Sequence, residues 1–332
     1  MLTPEANEIS AYAWQHGAFR QYDLHHALYH DLRQQFPLSA QMVVRCLGKV
    51  ADSYKLDRAT QRTFMERGGI AYDSRLLTYK EGELSIWALG GRQHIAYTMG
   101  KHHARLMQYQ QGESDFVYRK GTFYLLATCE VPEEDEQAVD GVLGVDLGIV
   151  ELATDSDGES FSGAIIDRKR EQYAAHRAGL QSTGTRSAKR RLKKVAGRQR
   201  QFQRNVNHTI SKRLVEKAKD TGRAIALEDL SGIRSATVSR AQRSRHHNWA
   251  FYDLRSKITY KARRRGVPVV LVDPANTSRT CHTCGHCEKA NRKRQAAFVC
   301  QACGHRDNAD RNAALNIAAR AEVNQPIVAQ AA

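Results

Sequence analysis

Apolar residues recur at helical spacing through the first 56 residues: Leu24, Leu28 and Leu32, then Met42, Val43, Cys46, Leu47 and Val50. That period predicts mostly helical structure across residues 6–56, interrupted at Pro37, with Ser39 placed to cap the second run. From about Gly68 to Val131 the pattern shortens to alternating runs, SRLLTYKEGELSIWAL, RQHIAYTM and ARLMQYQQGESDFVYRKGTFYLLATCEV, divided by glycine-containing turns. Such runs predict an antiparallel sheet or small barrel. The acidic stretch PEEDEQAVD, residues 132–140, is turn-rich and predicts a domain boundary.

Beyond it, VLGVDLG predicts an apolar strand holding one acid, Asp146, before a turn at Gly148. IVELATD predicts a second strand, and DSDG a tight turn leading into a third. Residues 168–220 read as long basic helices broken near QSTGTRS, and AIALEDL, residues 224–230, as a strand that ends in Glu228. A helix follows over 246–266, then the buried strand VPVVLVDP. Trp249, Phe251 and Tyr252 on that helix are expected to pack the core rather than stack on bases. The last helix is predicted to start near Asn308 or Ala309, with Ala313, Ala314, Ile317, Ala318 and Ala321 on one face.

At 332 residues the chain has room for about two domains and a small extra module. No secretory signal is visible at the start, and no apolar run approaches the ~20 residues of a membrane span, so a cytoplasmic protein without membrane partners is expected. The net charge of +16 is unevenly placed. Residues 1–138 carry 15 basic and 17 acidic side chains, and residues 139–332 carry 36 and 18. Between Arg168 and Lys219, 17 basic residues meet only Glu171 and Glu216. Phosphates would relieve such a density by releasing counterions, which points to nucleic acid and makes Arg190, Arg191, Lys193, Lys194, Arg198 and Arg200 candidate contacts.

Cys281, Cys284, Cys300 and Cys303 form a C-x2-C-x15-C-x2-C pattern. Two such knuckles turn four thiolates toward one ion, the closed tetrahedral site that structural zinc prefers. Gly285 and Gly304 follow each pair where a knuckle needs positive φ. Cys287, His282, His286 and His305 lie nearby and read as bystanders.

Three acids stand in apolar or small-residue surroundings: strand-borne Asp146, strand-end Glu228 and helix-start Asp310. An ionised carboxylate is expensive there unless a cation or partner meets it. Converging, the three would supply hard oxygen ligands for magnesium, the arrangement used in two-metal phosphodiester hydrolysis. Asp229 could replace Glu228 at the strand end. Asp307, three residues before Asp310, reads as a cap or support.

The order acid-strand, acid-strand, ribbon, acid-helix resembles the RuvC nuclease domain of TnpB, the RNA-guided endonuclease of insertion sequences, and of its descendants the type V CRISPR effectors. The segments that carry the resemblance are GVDLGIVELAT, IALEDLSGI, WAFYDLRSKITYKARRRGVPVVLVDPANTSRTCHTCG and FVCQACGHRDNADRNAALNIA, within residues 139–320. DFVYRKGTFYLLATCEVP extends it, less specifically, to residues 40–131. The resemblance implies an α/β chain: a ribonuclease H-like RuvC nuclease domain over 139–332 with a zinc ribbon at 281–303. Before it would come a helical recognition segment, 1–56, and a small wedge-like antiparallel β-barrel, 57–138. It implies that Asp146, Glu228 and Asp310 hold two Mg2+ ions and cut DNA, that one Zn2+ is structural, and that no small-molecule cofactor is used. The implied partners are an element-derived guide RNA and double-stranded target DNA, pairing reading the sequence and the protein reading shape plus a short adjacent motif. The basic, proline-containing opening usual in that family is not seen, and the sequence starts within what reads as the helical region. A guided binder without effective cleavage, acting as a repressor, and a strand-transfer transposase are the alternatives.

Overall fold

A computed structural model describes residues 3–148, 150–229 and 251–324. The chain forms two compact units, Met1–Val131 and Pro132–Ala332.

In the first unit, helices α2 (Gln21–Gln35) and α3 (Ala40–Leu56) appear where the apolar period placed them, and α1 (Thr3–His16) precedes them across a break at residues 17–20 that the apolar period over 6–56 does not mark. Ser39 caps α3 by accepting a hydrogen bond from the Met42 amide at 3.3 Å. The alternating region folds into β1 (Ile70–Tyr72), β2 (Leu77–Tyr79), β3 (Glu83–Ala88), β4 (Gly91–Ala96), β5 (Gln110–Arg119) and β6 (Thr122–Cys129), with a short helix α4 (Lys101–Leu106) between β4 and β5. Among the described residues these strands form two three-stranded antiparallel sheets, ordered β1-β5-β6 and β2-β3-β4. Leu47, Val50 and Tyr54 of α3 share one apolar cluster with Ile70, Tyr72, Leu84 and Ile86, so helices and sheets of this unit have a common core.

The second unit is built on a five-stranded sheet: β7 (Gly141–Asp146), β8 (Glu151–Asp155), β9 (Ser160–Ser162), β10 (Arg223–Glu228) and β11 (Val269–Val272), in the order β11-β10-β7-β8-β9. β7, β8 and β9 run as an antiparallel meander, while β10 lies parallel to both β7 and β11. Helices α5 (Ala164–Thr183) and α6 (Arg186–Asp220) separate β9 from β10, and α7 (Phe251–Arg264) precedes β11. The break predicted at QSTGTRS is real: Gly184, at φ 67°, ends α5, and Thr185 caps α6. The predicted helix 246–266 is described from Phe251 onward, and Trp249 lies outside the described residues. Two short strands, β12 (Ala297–Val299) and β13 (Arg306–Asn308), lead into the last helix, α8 (Ala309–Asn324).

Strand alternation assigns the two faces of the sheet. Leu143, Val145, Ile225 and Leu227 point to one side, where Ile210, Leu214, Leu254 and Ile258 of α6 and α7 cover them. Val142, Ala224 and Ala226 point to the other, beneath Ile317, Ala318 and Ala321 of α8. Gly144 shares that second face, and a Cβ there would stand 2.0 Å from the Ala314 carbonyl oxygen and 2.7 Å from the Ala318 amide nitrogen. Only glycine allows α8 to lie this close to β7.

Candidate active site

The alternation that buries Val142 beneath α8 also aims Asp146, four residues on, at the same face. Glu228 follows Ala224 and Ala226 on that face of β10. Leu227 pairs with Val145, so Glu228 and Asp146 are the next residues on neighbouring parallel strands. Asp310 lies in the first turn of α8, which runs over these strands.

The electrostatics register the convergence. Burial first, then the negative charges of Glu228 and Asp310, push the Asp146 carboxyl up to about 7, against a smaller opposing pull from the Arg292 guanidinium. Burial also raises Glu228, although a hydrogen bond donated by the Thr277 hydroxyl pulls it the other way. Arg292, reaching in from the cysteine-rich segment, pairs with Asp310 at 2.7 Å, and the Arg320 charge acts on Glu228. The three carboxylates do not gather as tightly as a ready ligand set. Among the described residues, groups with ligand atoms within 4.8 Å of one another are the four cysteines and the set His282, His305 and Asp307.

Glu151 of β8 is a fourth acid at this place, and its sequence context did not single it out. Burial and then the Asp310 charge raise its pKa, and its Oε2 atom is buried with no hydrogen-bond partner among the described residues. An all-oxygen donor set containing an orphaned carboxylate oxygen and a carboxyl held near neutrality fits a hard divalent cation such as Mg2+.

Asp229, the alternative at the strand end, pairs instead with Arg255 at 2.8 Å. Asp307 does not cap α8: it lies in β13, and the Asn308 side chain accepts from the Asp310 and Arg311 amides at 2.9 and 3.2 Å. Tyr252, expected to pack inward, is 68% exposed, with the Arg255 guanidinium 6.0 Å from its ring centre. Arg190, Arg191, Lys193, Lys194, Arg198 and Arg200 are all exposed along α6.

The cysteine segment has the geometry of a closed tetrahedral site. Sγ atoms lie 3.5 Å apart for Cys284 and Cys300 and 3.8 Å apart for Cys281 and Cys303, against about 3.8 Å across a ZnS4 tetrahedron with ~2.3 Å bonds. Gly285 and Gly304 take φ of 74° and 72°. Hydrogen bonds, first from the Cys303 amide, lower the Cys300 thiol, while its cysteine neighbours raise Cys284, so the set shares its protons until a metal ion displaces them.

Asparagines tie this segment to α8. Asn312 donates to the Thr280 carbonyl at 2.8 Å, and Asn316 to the Thr277 and Thr280 carbonyls at 2.8 and 2.7 Å. The spacing 312, 316 puts both on one helical stripe, in line with the capping Asn308 that precedes the helix. That polar stripe inside an apolar helix was the signal available for them, whereas Arg292 and Thr277 carried none.

The fold and site thus define an α/β domain with acids gathered on one sheet face, beside a four-cysteine module able to hold a metal ion. Residues 126–231 match the family model OrfB_IS605, described as a probable transposase, and residues 251–317 match the Cas12f1-like TNB domain. Over these two segments the chain is similar to the TnpB and Cas12f1 families. It is 31% identical over 209 residues to the CRISPR-associated endodeoxyribonuclease Cas12f1 of Syntrophomonas palmitatica, covering 57% of this chain and 41% of that protein. It is 31% identical over 141 residues to a TnpB-like protein of Methanocaldococcus jannaschii, covering 40% of this chain and 51% of that protein. The chain therefore spans about half the length of the curated relatives it matches. Its fold is similar to that of a solved Cas12f1-sgRNA-target DNA complex, with a TM-score of 0.62 at 15% identity, covering 96% of this chain and 81% of that one.

Proposed function

We propose that the chain is an RNA-guided DNA endonuclease whose RuvC-like, ribonuclease H-like domain hydrolyses phosphodiester bonds. The observation that carries this is the placement of Asp146 and Glu228 on adjacent strands beneath the helix that bears Asp310, where burial and then the charges of the other two acids raise the Asp146 carboxyl to about 7. Relatives named as endodeoxyribonucleases support the reaction class.

Asp146, Glu228 and Asp310 would hold two Mg2+ ions, with Glu151 beside them. When bound, the ions supply an activated water and neutralise charge on the leaving oxygen. The protein's part is to keep Asp146 and Glu228 preorganised on adjacent strands and Asp310, paired with Arg292, at the start of the helix above them. The four cysteines would hold one structural Zn2+. The two N-terminal sheets would form the barrel-like wedge that, with helices α1–α3, reads duplex DNA, and the exposed basic face of α6 would hold a guide–target heteroduplex.

The test is cleavage of a plasmid carrying a guide-matched target, with guide RNA and Mg2+ supplied. The wild-type chain should cut, and Asp146→Ala should reduce the rate by a factor of at least about 100, the scale of removing one essential group from a preorganised site; equal cutting by the variant would displace the active site. Two other readings have an observation each. The Arg292–Asp310 pair favours a guided binder that acts as a repressor, which would retain target DNA without nicking it. The probable-transposase description favours strand transfer, which would give joined rather than hydrolysed ends.

A further inference from the structure

Two histidines that read as bystanders to the four thiols are drawn together by the fold. His282 follows Cys281 in the first knuckle, His305 leaves the second, and Asp307 sits two residues further on in β13. Each offers a ligand atom within 4.8 Å of those of the other two. The rings meet edge to face, with centroids 4.7 Å apart.

The His305 ring is the least engaged of the three, whereas Asp307 already accepts from the Asn308 amide at 2.7 Å and from Arg311 at 3.2 and 3.3 Å. Nδ1 of His282 lies 3.2 Å from the Asn312 Oδ1 atom, which accepts from the His282 backbone amide as well. An amide oxygen can only accept, so with that oxygen as partner Nδ1 carries the proton and the ring's lone pair falls on Nε2, 3.4 Å from the Thr283 hydroxyl. Such a bond on the far ring nitrogen is how metal-binding imidazoles are usually oriented. Nε2 of His305 is buried without a hydrogen-bond partner among the described residues and stands 3.9 Å from Asp307 Oδ2. A histidine serving only as an ion-pair partner would close to about 2.8 Å. The Asp307 carboxylate, also flanked by Arg311 at 3.2 Å, is 10% exposed and remains beside the two rings.

We propose that His282, His305 and Asp307 form a second transition-metal site, separate from the four-cysteine site, that takes Zn2+ or a similar divalent ion and leaves a coordination position to water. Two imidazole nitrogens and one carboxylate oxygen are borderline donors of the kind such ions prefer over Mg2+. Tetrahedral coordination at ~2.0–2.1 Å asks for donors about 3.3 Å apart, which the 3.9 Å separation reaches by small side-chain rotations. The ion would join both knuckles to the strand that feeds α8, and this holds whether or not the acids above it cut DNA.

The experiment counts zinc by mass spectrometry in the full chain after loading with excess Zn2+ and desalting, in an Asp146→Asn background that weakens the acids as a zinc source. Two zinc ions per chain are expected, falling to one in His282→Ala/His305→Ala, with that last ion released by a thiol-directed mercurial. One ion in the parent, or two in the double variant, would overturn the proposal. Should the double variant lose both ions by misfolding, Co2+ titration of the metal-free parent decides without mutation. The first equivalent should build intense sulfur-to-cobalt absorption and the second should add only weak ligand-field bands. Absence of the second phase would overturn the site.

Discussion

At Asp146 a carboxyl meets burial and two like charges, and the consequence is a pH dependence. Its pKa in the folded chain, about 7, lies above the usual ~4 of an unfolded aspartate. The stabilising contribution is therefore fully present below pH ~4 and is lost as pH rises through 7. The rise to about 7 would correspond to up to ~4 kcal/mol, and partial exposure to solvent reduces it. In magnesium-free buffer the wild-type melting temperature should fall between pH ~4 and ~7 by more than that of Asp146→Asn. Parallel curves would mean that the carboxyl is well solvated. Arg292→Ala should move the wild-type window upward, because the guanidinium opposes the rise. Saturating Mg2+ should flatten the curve, since a divalent ion replaces the proton as counter-charge.

Among the elements, β7 and α8 depend on a missing side chain. Gly144→Ala would drive a methyl group into helix backbone, so overpacking should cost at least ~1–3 kcal/mol, read as a shift in the urea midpoint. A wild-type midpoint would mean that α8 can lift off β7 without penalty. Helix α6 raises a different question, because its 35 residues combine a buried stripe, including Ala188, Val195, Ile210 and Leu214, with an exposed basic face. Replacing Arg190, Arg191, Lys193 and Lys194 by Ala should lower the slope of log affinity for nucleic acid against log salt by up to roughly 0.9 for each phosphate no longer neutralised. Equal slopes would leave that face merely solvated. No stability change is expected, since all four side chains are exposed.

For the second unit as a whole, the cysteine segment and the acid face are mechanically linked. The second knuckle runs through β13 straight into α8, and Asn312 and Asn316 bind α8 to residues 277–280, whose Thr277 touches Glu228. If the four cysteines hold zinc as proposed, releasing it with a mercurial should reduce amide hydrogen-exchange protection in the first turns of α8, while β7 and β10 keep theirs. It should also abolish any Mg2+-dependent cleavage. Unchanged protection at Ala313 and Ala314 would mean that the helix is anchored by its sheet packing alone. No helix among the described residues is long and apolar enough to cross a membrane.

Local chemistry made much of this readable in advance. Alternation located β7 and β10, the 3.6-residue period located α3 and α8, and the paired knuckles with their positive-φ glycines announced a four-thiol site, because each depends on residues close together along the chain. What the tertiary structure alone decided was distance. Which face of β7 carries Asp146, that Glu151 and Arg292 stand by Asp310, that Asn308 and not Asp307 caps α8, and that two histidines from separate knuckles meet Asp307 all follow from strand register and helix docking. Those are set by packing between segments far apart in sequence, which no local pattern encodes.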